Sequence, residues 1–209
     1  GIQVIEPLQE NREKLTAAFG VRCCTAIDAA ALDCDALILA VKPQQTREAL
    51  APLTGAFADS LKTQLVISIA AGLRLTDISR WLGGYRQLVR CMPNTPALIG
   101  AGITGLYADS AVGPKGRDTA EKILRAVGDT LWVDDEAQMD AVTAISGSGP
   151  AYVFYFIEAL QRAAQNLGID APAARQLAIE TFTGAARLAE QSEEDVAVLR
   201  QRVTSKGGT

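Results

Sequence analysis

The chain contains no histidine. That absence excludes Ser-His and Cys-His nucleophile pairs, histidine-ligated metals and imidazole acid–base catalysis. Its chemistry falls to carboxylates, lysine, hydroxyls, thiols, backbone amides or a bound cofactor. The four cysteines, Cys23, Cys24, Cys34 and Cys91, form no C-x-x-C pair, so the spacings of a zinc ribbon or a thioredoxin-like motif are missing. A chain of 209 residues with a sizeable core needs no disulfide, and free, mostly buried thiols are expected. There is no block of basic residues: 20 Lys and Arg face 24 Asp and Glu, a net charge of −4, which speaks against nucleic acid as a partner. No apolar run reaches the ~18 residues of a membrane span, and no charged-then-apolar leader is recognisable. These absences lead to the expectation of a cytoplasmic protein with no membrane partner.

What is present divides into two halves. Ile2–Ile5, Asp35–Val41, Leu65–Ala70, Gln87–Met92, Gly102–Tyr107 and Thr130–Val133 read as strands. Several of these are apolar on both faces, which suits parallel strands covered from both sides. Amphipathic stretches such as Leu8–Phe19 and Lys115–Val127 alternate with them, and Pro43 is placed to open another helix. This alternation predicts a doubly wound α/β sheet over residues 1–137. Residues 138–209 read as helices alone: Pro150–Leu167, Pro172–Glu190 and Asp195–Val203. Aromatic residues make up only 5% of the chain, yet Tyr152, Phe154, Tyr155 and Phe156 crowd one helical turn and a half. A helix apolar around its whole circumference must be covered on all sides, which points to a partner subunit, with the interior of a single domain as the alternative.

Two glycine patterns carry less than they promise. Gly100-Ala-Gly102-Ile-Thr-Gly105 matches G-x-G-x-x-G, but prolines precede it and a strand follows it. The helix N-terminus that would face a pyrophosphate is not there, so an irregular loop entering a strand is expected. Gly147-Ser148-Gly149 lacks the full nucleophile-elbow pattern and has no histidine to activate it. It reads as a helix start with a hydroxyl cap and Pro150 in the first turn. Ala40-Val41-Lys42-Pro43 ends a buried strand, the edge where α/β sheets take ligands; by position alone Lys42 suits phosphate and solvent equally. Asn94 and Thr95 follow another strand on that edge. Thr204–Thr209 carries a glycine pair with flanking hydroxyls, which fits either an anion-binding nest or a flexible tail.

Taken in order, Ala40-Val-Lys-Pro43, Ser68-Ile-Ala-Ala-Gly72, Arg90-Cys-Met-Pro-Asn-Thr-Pro96, Ala144-Ile-Ser-Gly-Ser-Gly-Pro-Ala-Tyr152 and Val203-Thr-Ser-Lys-Gly-Gly-Thr209 resemble the motifs of the pyrroline-5-carboxylate reductases. The resemblance implies hydride transfer from a reduced nicotinamide to the imine carbon of 1-pyrroline-5-carboxylate, giving L-proline. It implies a partial Rossmann-type parallel sheet followed by an all-α dimerisation domain, and a homodimer or higher homo-oligomer paired through the C-terminal helices. The implied cofactor is NADP(H), with NAD(H) also used in the family. By the same resemblance, Ala40, Val41, Lys42, Pro43, Ala70, Ala71 and Asn94 line the cofactor. Ser148 lies near the nicotinamide and substrate. Ser205, Gly207, Gly208 and Thr209 take the substrate carboxylate, and Thr209 is the catalytic candidate. Glu193 matches, by spacing only, a carboxylate near the substrate nitrogen. An imine is readily protonated in water, so such chemistry rests on alignment and needs no histidine.

The chain also departs from the family. It opens on what reads as the second strand, without the Gly-rich turn that meets the pyrophosphate, and it stops before the family's next threonine and following helices. It is therefore expected to be an internal fragment. Glu6 ends the first strand, where an acid can bond a ribose 2′-hydroxyl; Arg12 is near enough in sequence to offset it, and a solvated turn residue is the plainer alternative. Two other readings remain at this level: a related imine or β-hydroxyacid reductase, and an inactive fragment that pairs through its helices.

Overall fold

A computed structural model describes residues 1–57 and 59–204. The chain divides into two compact units, Gly1–Ser148 and Gly149–Thr209. In the first, β1 (Gln3–Ile5), α1 (Gln9–Phe19) and β2 (Arg22–Cys24) form a small parallel pair with a connecting helix. A five-stranded sheet follows, in the order β3 (Ala36–Leu39), β4 (Leu65–Ser68), β5 (Leu88–Met92), β6 (Gly102–Ala108) and β7 (Gly128–Trp132). Between the strands run α2 (Pro43–Thr54), α3 (Leu75–Trp81) and α4 (Pro114–Arg125). β3, β4 and β5 are mutually parallel, as are β6 and β7, but β6 runs antiparallel to β5. The reason is connection length. Only a 3₁₀ turn, Thr95–Ile99, separates β5 from β6, too little chain for the crossover a parallel neighbour needs.

Both faces of the central strands β4 and β5 are buried, as their apolar runs require. On one face Leu39, Val66 and Leu88 pack against Leu50 and Leu53 of α2 and Leu75 and Ile78 of α3. On the other, Ile67, Val89, Cys91 and Leu106 pack with Ala120 and Leu124 of α4. Trp132 joins β7 to α4: its indole N–H donates to Glu121 Oε2 at 3.0 Å, and Arg117 lies over the ring at 4.6 Å. That indole bond, followed by the one from Arg125, holds the Glu121 carboxyl below its ordinary range.

The sequence boundary at 137 falls just before α5 (Gln138–Val142) and a π-helical turn, Thr143–Gly147, both within the first unit. Their apolar side packs on the sheet: Met139 is buried, and a Cβ on Gly105 would lie 2.6 Å from Val142. Gly105 thus serves close approach of a helix to β6, and Gly100 takes φ 71° to cap the 3₁₀ turn, so the G-x-G-x-x-G run is a loop and strand.

One charge lies inside this sheet. Arg90, in the middle of β5, is 4% exposed. Its guanidinium meets Glu136 Oε1 at 3.2 Å and Asp140 Oδ1 at 3.6 Å. The same Glu136 oxygen accepts from the Leu75 amide at 2.7 Å, at the start of α3. The ion pair therefore ties β5, α3 and the segment before α5 together.

The second unit holds α6 (Gly149–Asn166), α7 (Ala171–Gln191) and α8 (Val196–Val203). Asp170 and Asp195 cap α7 and α8 by accepting from the Ala173 and Ala197 amides. α6 and α7 pack on each other, with Phe156 and Phe182 ring centroids 6.4 Å apart. No residue of α6 is buried, and Tyr152, Phe154, Tyr155 and Phe156 are all more than half exposed.

All four thiols are free, but only Cys91 is fully buried; the other three are half-buried, against the expectation of a mostly buried set. Three-residue β2, at the edge of a two-stranded pair, is too thinly covered to enclose Cys23 and Cys24. Burial pushes the Cys91 thiol up to about 12. A thiol reagent at mildly alkaline pH is expected to leave Cys91 unlabelled in the folded protein and to reach it on unfolding; rapid native labelling of Cys91 would contradict this packing. Arg90→Met should cost about 3–5 kcal/mol in denaturant unfolding, because it strands a buried carboxylate. Asp140→Asn, at an exposed partner, should cost less than about 1 kcal/mol.

Candidate functional site

Parallel pairing decides where the predicted residues fall. Because β3, β4 and β5 run the same way and lie side by side, their carboxyl ends share one edge of the sheet. Ala40–Pro43 leaves β3, Ala70–Gly72 leaves β4, and Asn94 follows β5, so the structure gathers these three segments in strand order along that edge.

Each segment has a local cause. After β3, Lys42 takes the extended conformation of an N-cap and Pro43 occupies the first turn of α2, so the side chain of Lys42 stands exposed beside a helix N-terminus. The Lys42 carbonyl is used inward, accepting from the Gln45 amide at 2.9 Å and from Thr46 Oγ1 at 3.3 Å. Ala40 is exposed and Val41 half-buried. After β4, the Ile69 amide donates to Leu39 O at 3.1 Å, which stitches the two strand ends together. Ser68, 1% exposed, accepts from the Ala70 amide at 3.3 Å and starts the turn. Ala70 is buried and Ala71 exposed; Gly72 turns the chain with φ 77°. After β5, Asn94 caps the 3₁₀ turn with extended backbone, and its Oδ1 accepts from the Ile103 amide at 2.9 Å. Asn94 thereby braces the start of β6, a structural duty its sequence position does not reveal.

The edge is small-sided and weakly cationic. Ala40, Ala70, Ala71 and Gly72 project almost nothing, and a Cβ on Gly72 would meet open space. Lys42, exposed at the N-terminus of α2, supplies positive potential at one end, although Pro43 has no N–H and the Gln45 amide is spent on Lys42 O. Such an edge lets a flat, anionic ligand approach the backbone closely.

Glu6 ends β1 in the separate two-stranded sheet. Its Oε1 accepts from the Leu8 amide at 2.9 Å, and its own amide donates to Cys24 O. Arg12 Nη1 is spent on two carbonyls, Glu6 O at 2.8 Å and Pro7 O at 2.7 Å. Both residues therefore shape the β1–α1 turn. Ser148 is half-buried at the end of the π-helical turn. Its amide donates to Thr143 O at 2.9 Å, and φ −86°, ψ −20° give near-helical backbone where a hydroxyl cap would be extended. Glu193 lies exposed in the bend between α7 and α8. Ser205, Gly207, Gly208 and Thr209 lie outside the described residues. Sequence reasoning attaches no role to Arg90, Glu136 or Asp140, although an arginine inside Leu88-Val-Arg-Cys-Met92 is itself a signal, since a charge in a buried strand demands a partner.

Comparison with known proteins covers both units. Residues 136–209 match the family described as pyrroline-5-carboxylate reductase dimerisation, and residues 1–72 match that described as NADP oxidoreductase coenzyme F420-dependent. The chain is 44% identical over all 209 residues to the pyrroline-5-carboxylate reductase of Pseudomonas aeruginosa, and spans 75% of that protein. Among solved structures, the pyrroline-5-carboxylate reductase of Coxiella burnetii is 42% identical with a TM-score of 0.89, covering 100% of this chain and 76% of its own. The pyrroline carboxylate reductase of Plasmodium falciparum, solved with NADP bound, is 28% identical with a TM-score of 0.82, covering 92% of this chain and 71% of its own. The five motifs along the chain, the alternating sheet and the helical second unit thus converge, and the chain belongs to the pyrroline-5-carboxylate reductase family.

Proposed function

We propose that this protein reduces 1-pyrroline-5-carboxylate to L-proline with NADPH. The observation that carries the proposal is end-to-end similarity, at 44% identity, to an enzyme of that name. The sheet edge supports it through its chemistry. A dinucleotide offers phosphates, ribose hydroxyls and flat rings. Lys42 at the start of α2 suits the first, and the alanine-lined turns suit the last. When bound, the reduced nicotinamide supplies the hydride.

The chain's own residues bind and orient. Ala40–Pro43, Ala70–Ala71 and Asn94 hold the cofactor, with Lys42 countering its negative charge. Glu6 is assigned to the ribose side, where its second carboxylate oxygen remains for a hydroxyl after Oε1 has taken the Leu8 amide. On the substrate side, Ser205, Gly207, Gly208 and Thr209 are assigned to the carboxylate, Ser148 and Glu193 to substrate binding, and the Thr209 hydroxyl to the catalytic role. The cyclic imine protonates readily, so holding donor and acceptor in line is the main catalytic contribution. The exposed aromatic residues of α6 are assigned to pairing with a second copy, because a helix with four such aromatics exposed lowers its free energy by burying them. Free thiols, net negative charge and the lack of a helix able to span a membrane among the described residues support a cytoplasmic site and argue against nucleic acid or membrane as partner.

The test is imine-dependent oxidation of NADPH by the purified protein, alongside Lys42→Ala. Parent turnover is expected. The variant is expected to raise the KM for NADPH about tenfold, the loss of one charge-assisted contact, with the KM for the imine little changed. A folded parent that leaves NADPH unoxidised in the presence of the imine would refute the reaction. A parental KM in Lys42→Ala would remove Lys42 from the cofactor site.

A further inference from the structure

The loops along the sheet edge can act together only if their spacing is held, and two of them are held through one half-buried carboxylate. Glu136 stands 61 residues from Leu75 and 46 from Arg90 in sequence, yet its Oε1 accepts from the Leu75 amide at 2.7 Å and from Arg90 Nη1 at 3.2 Å. Leu75 opens α3, and the Ala70–Gly72 turn runs into that helix. Arg90 lies in β5, whose end leads to Asn94. Across the sheet, Ser68 is the register partner of Arg90, and Ser68 Oγ accepts from Ala70 N. The β4 turn is therefore anchored at its entry by Ser68 and at its exit by Glu136, and both anchors neighbour Arg90.

Burial makes this arrangement stiff. The side chains of Arg90 and Glu136 are 5% and 16% exposed, so water cannot substitute for either partner. Asp140 cannot replace Glu136: it is 68% exposed, reaches Arg90 only at 3.6 Å, and also faces Arg74 at 4.0 Å. Nor does it receive the Leu75 amide. Without the Glu136 carboxylate, the start of α3 loses the acceptor that fixes it against β5.

We infer that Glu136, oriented by Arg90, is a positioning residue that sets the Ala70–Gly72 turn against the Asn94 loop and thereby the fit of NADPH. The inference rests on the reading of this edge as the dinucleotide side given above. Glu136 acts through the backbone of α3, and no contact between its side chain and the cofactor is invoked.

The experiment compares NADPH affinity by direct titration and KM values for both substrates in the purified protein and three variants. Glu136→Ala is expected to weaken NADPH binding about tenfold or more, since displacements of about 1 Å at a binding site carry penalties of that order, while the KM for the imine stays within about twofold. Glu136→Gln keeps the acceptor oxygen and is expected to restore most of the affinity. Leu124→Ala opens a cavity on the opposite face of the sheet and is expected to lose stability without loosening NADPH. Parental NADPH affinity in Glu136→Ala would overturn the inference, as would equal weakening in Leu124→Ala. Should Glu136→Ala fail to fold, Glu136→Asp, which keeps the charge but withdraws the acceptor by one methylene, decides: weaker NADPH binding is expected, and unchanged binding overturns. A parent that binds NADPH but ignores the imine defeats the proposed reaction and leaves the affinity comparison standing. A parent that does not bind NADPH defeats both.

Discussion

Parallel pairing of three short strands is the constraint from which the rest follows. β3, β4 and β5 can run in one direction only if a crossover joins each to the next, and α2 and α3 provide the two on one face. A shared direction places every carboxyl end on one edge, so the loops that leave the sheet there become neighbours without any attraction between them. It also encloses both faces, which is why Val66, Ile67, Leu88 and Val89 are all within 1% of complete burial. Rigidity at the strand ends is inherited from that packing. The Ile69 amide donating to Leu39 O and the Ala70 amide donating to Ser68 Oγ extend the order of the sheet into the first turn of the loops.

Much of this was legible in the residues. Runs such as Leu65-Val-Ile-Ser and Leu88-Val-Arg-Cys-Met announce strands covered on both sides, and Pro43 marks a helix start. The antiparallel turn to β6 was readable in principle from the short stretch between Met92 and Gly102, but a strand pattern carries no direction of its own. β2 and α3 passed unseen because three and seven residues are too few for a period to emerge. The helical segment from Gln138 to Gly147 reads with the second half, and the dimerisation family match begins there too, at residue 136; periodicity says nothing of which sheet a helix covers. Only Met139 and Val142 meeting β6 reveal that.

The candidate site shows the same division. Ala40–Pro43, Ala70–Ala71 and Asn94 were found through motifs and do share an edge. What their side chains do locally was not legible. Asn94 braces β6, Glu6 terminates the turn before α1, and Arg12 is spent on backbone carbonyls. These are long-range or sterically decided partnerships, which local pattern cannot express. The Arg90–Glu136 pair is the sharpest case: a lone arginine in a strand signals that a partner exists, and only the fold says which of 24 acids it is. In the second unit, by contrast, the composition of α6 speaks plainly: a helix apolar all round calls for a cover, and in the single chain its aromatic residues stand exposed.

On the function proposed, the protein takes its cofactor at the edge formed by β3, β4 and β5. Amide hydrogen exchange with and without NADPH tests it most directly, because it reads every backbone segment at once. Exchange is expected to slow on addition of NADPH in Ala40–Gln45, in Ala71–Leu73 and around Asn94, with α4 on the opposite face unchanged. Protection confined to α4 and β7, or binding of NADPH with no protection at any of the three segments, would contradict it.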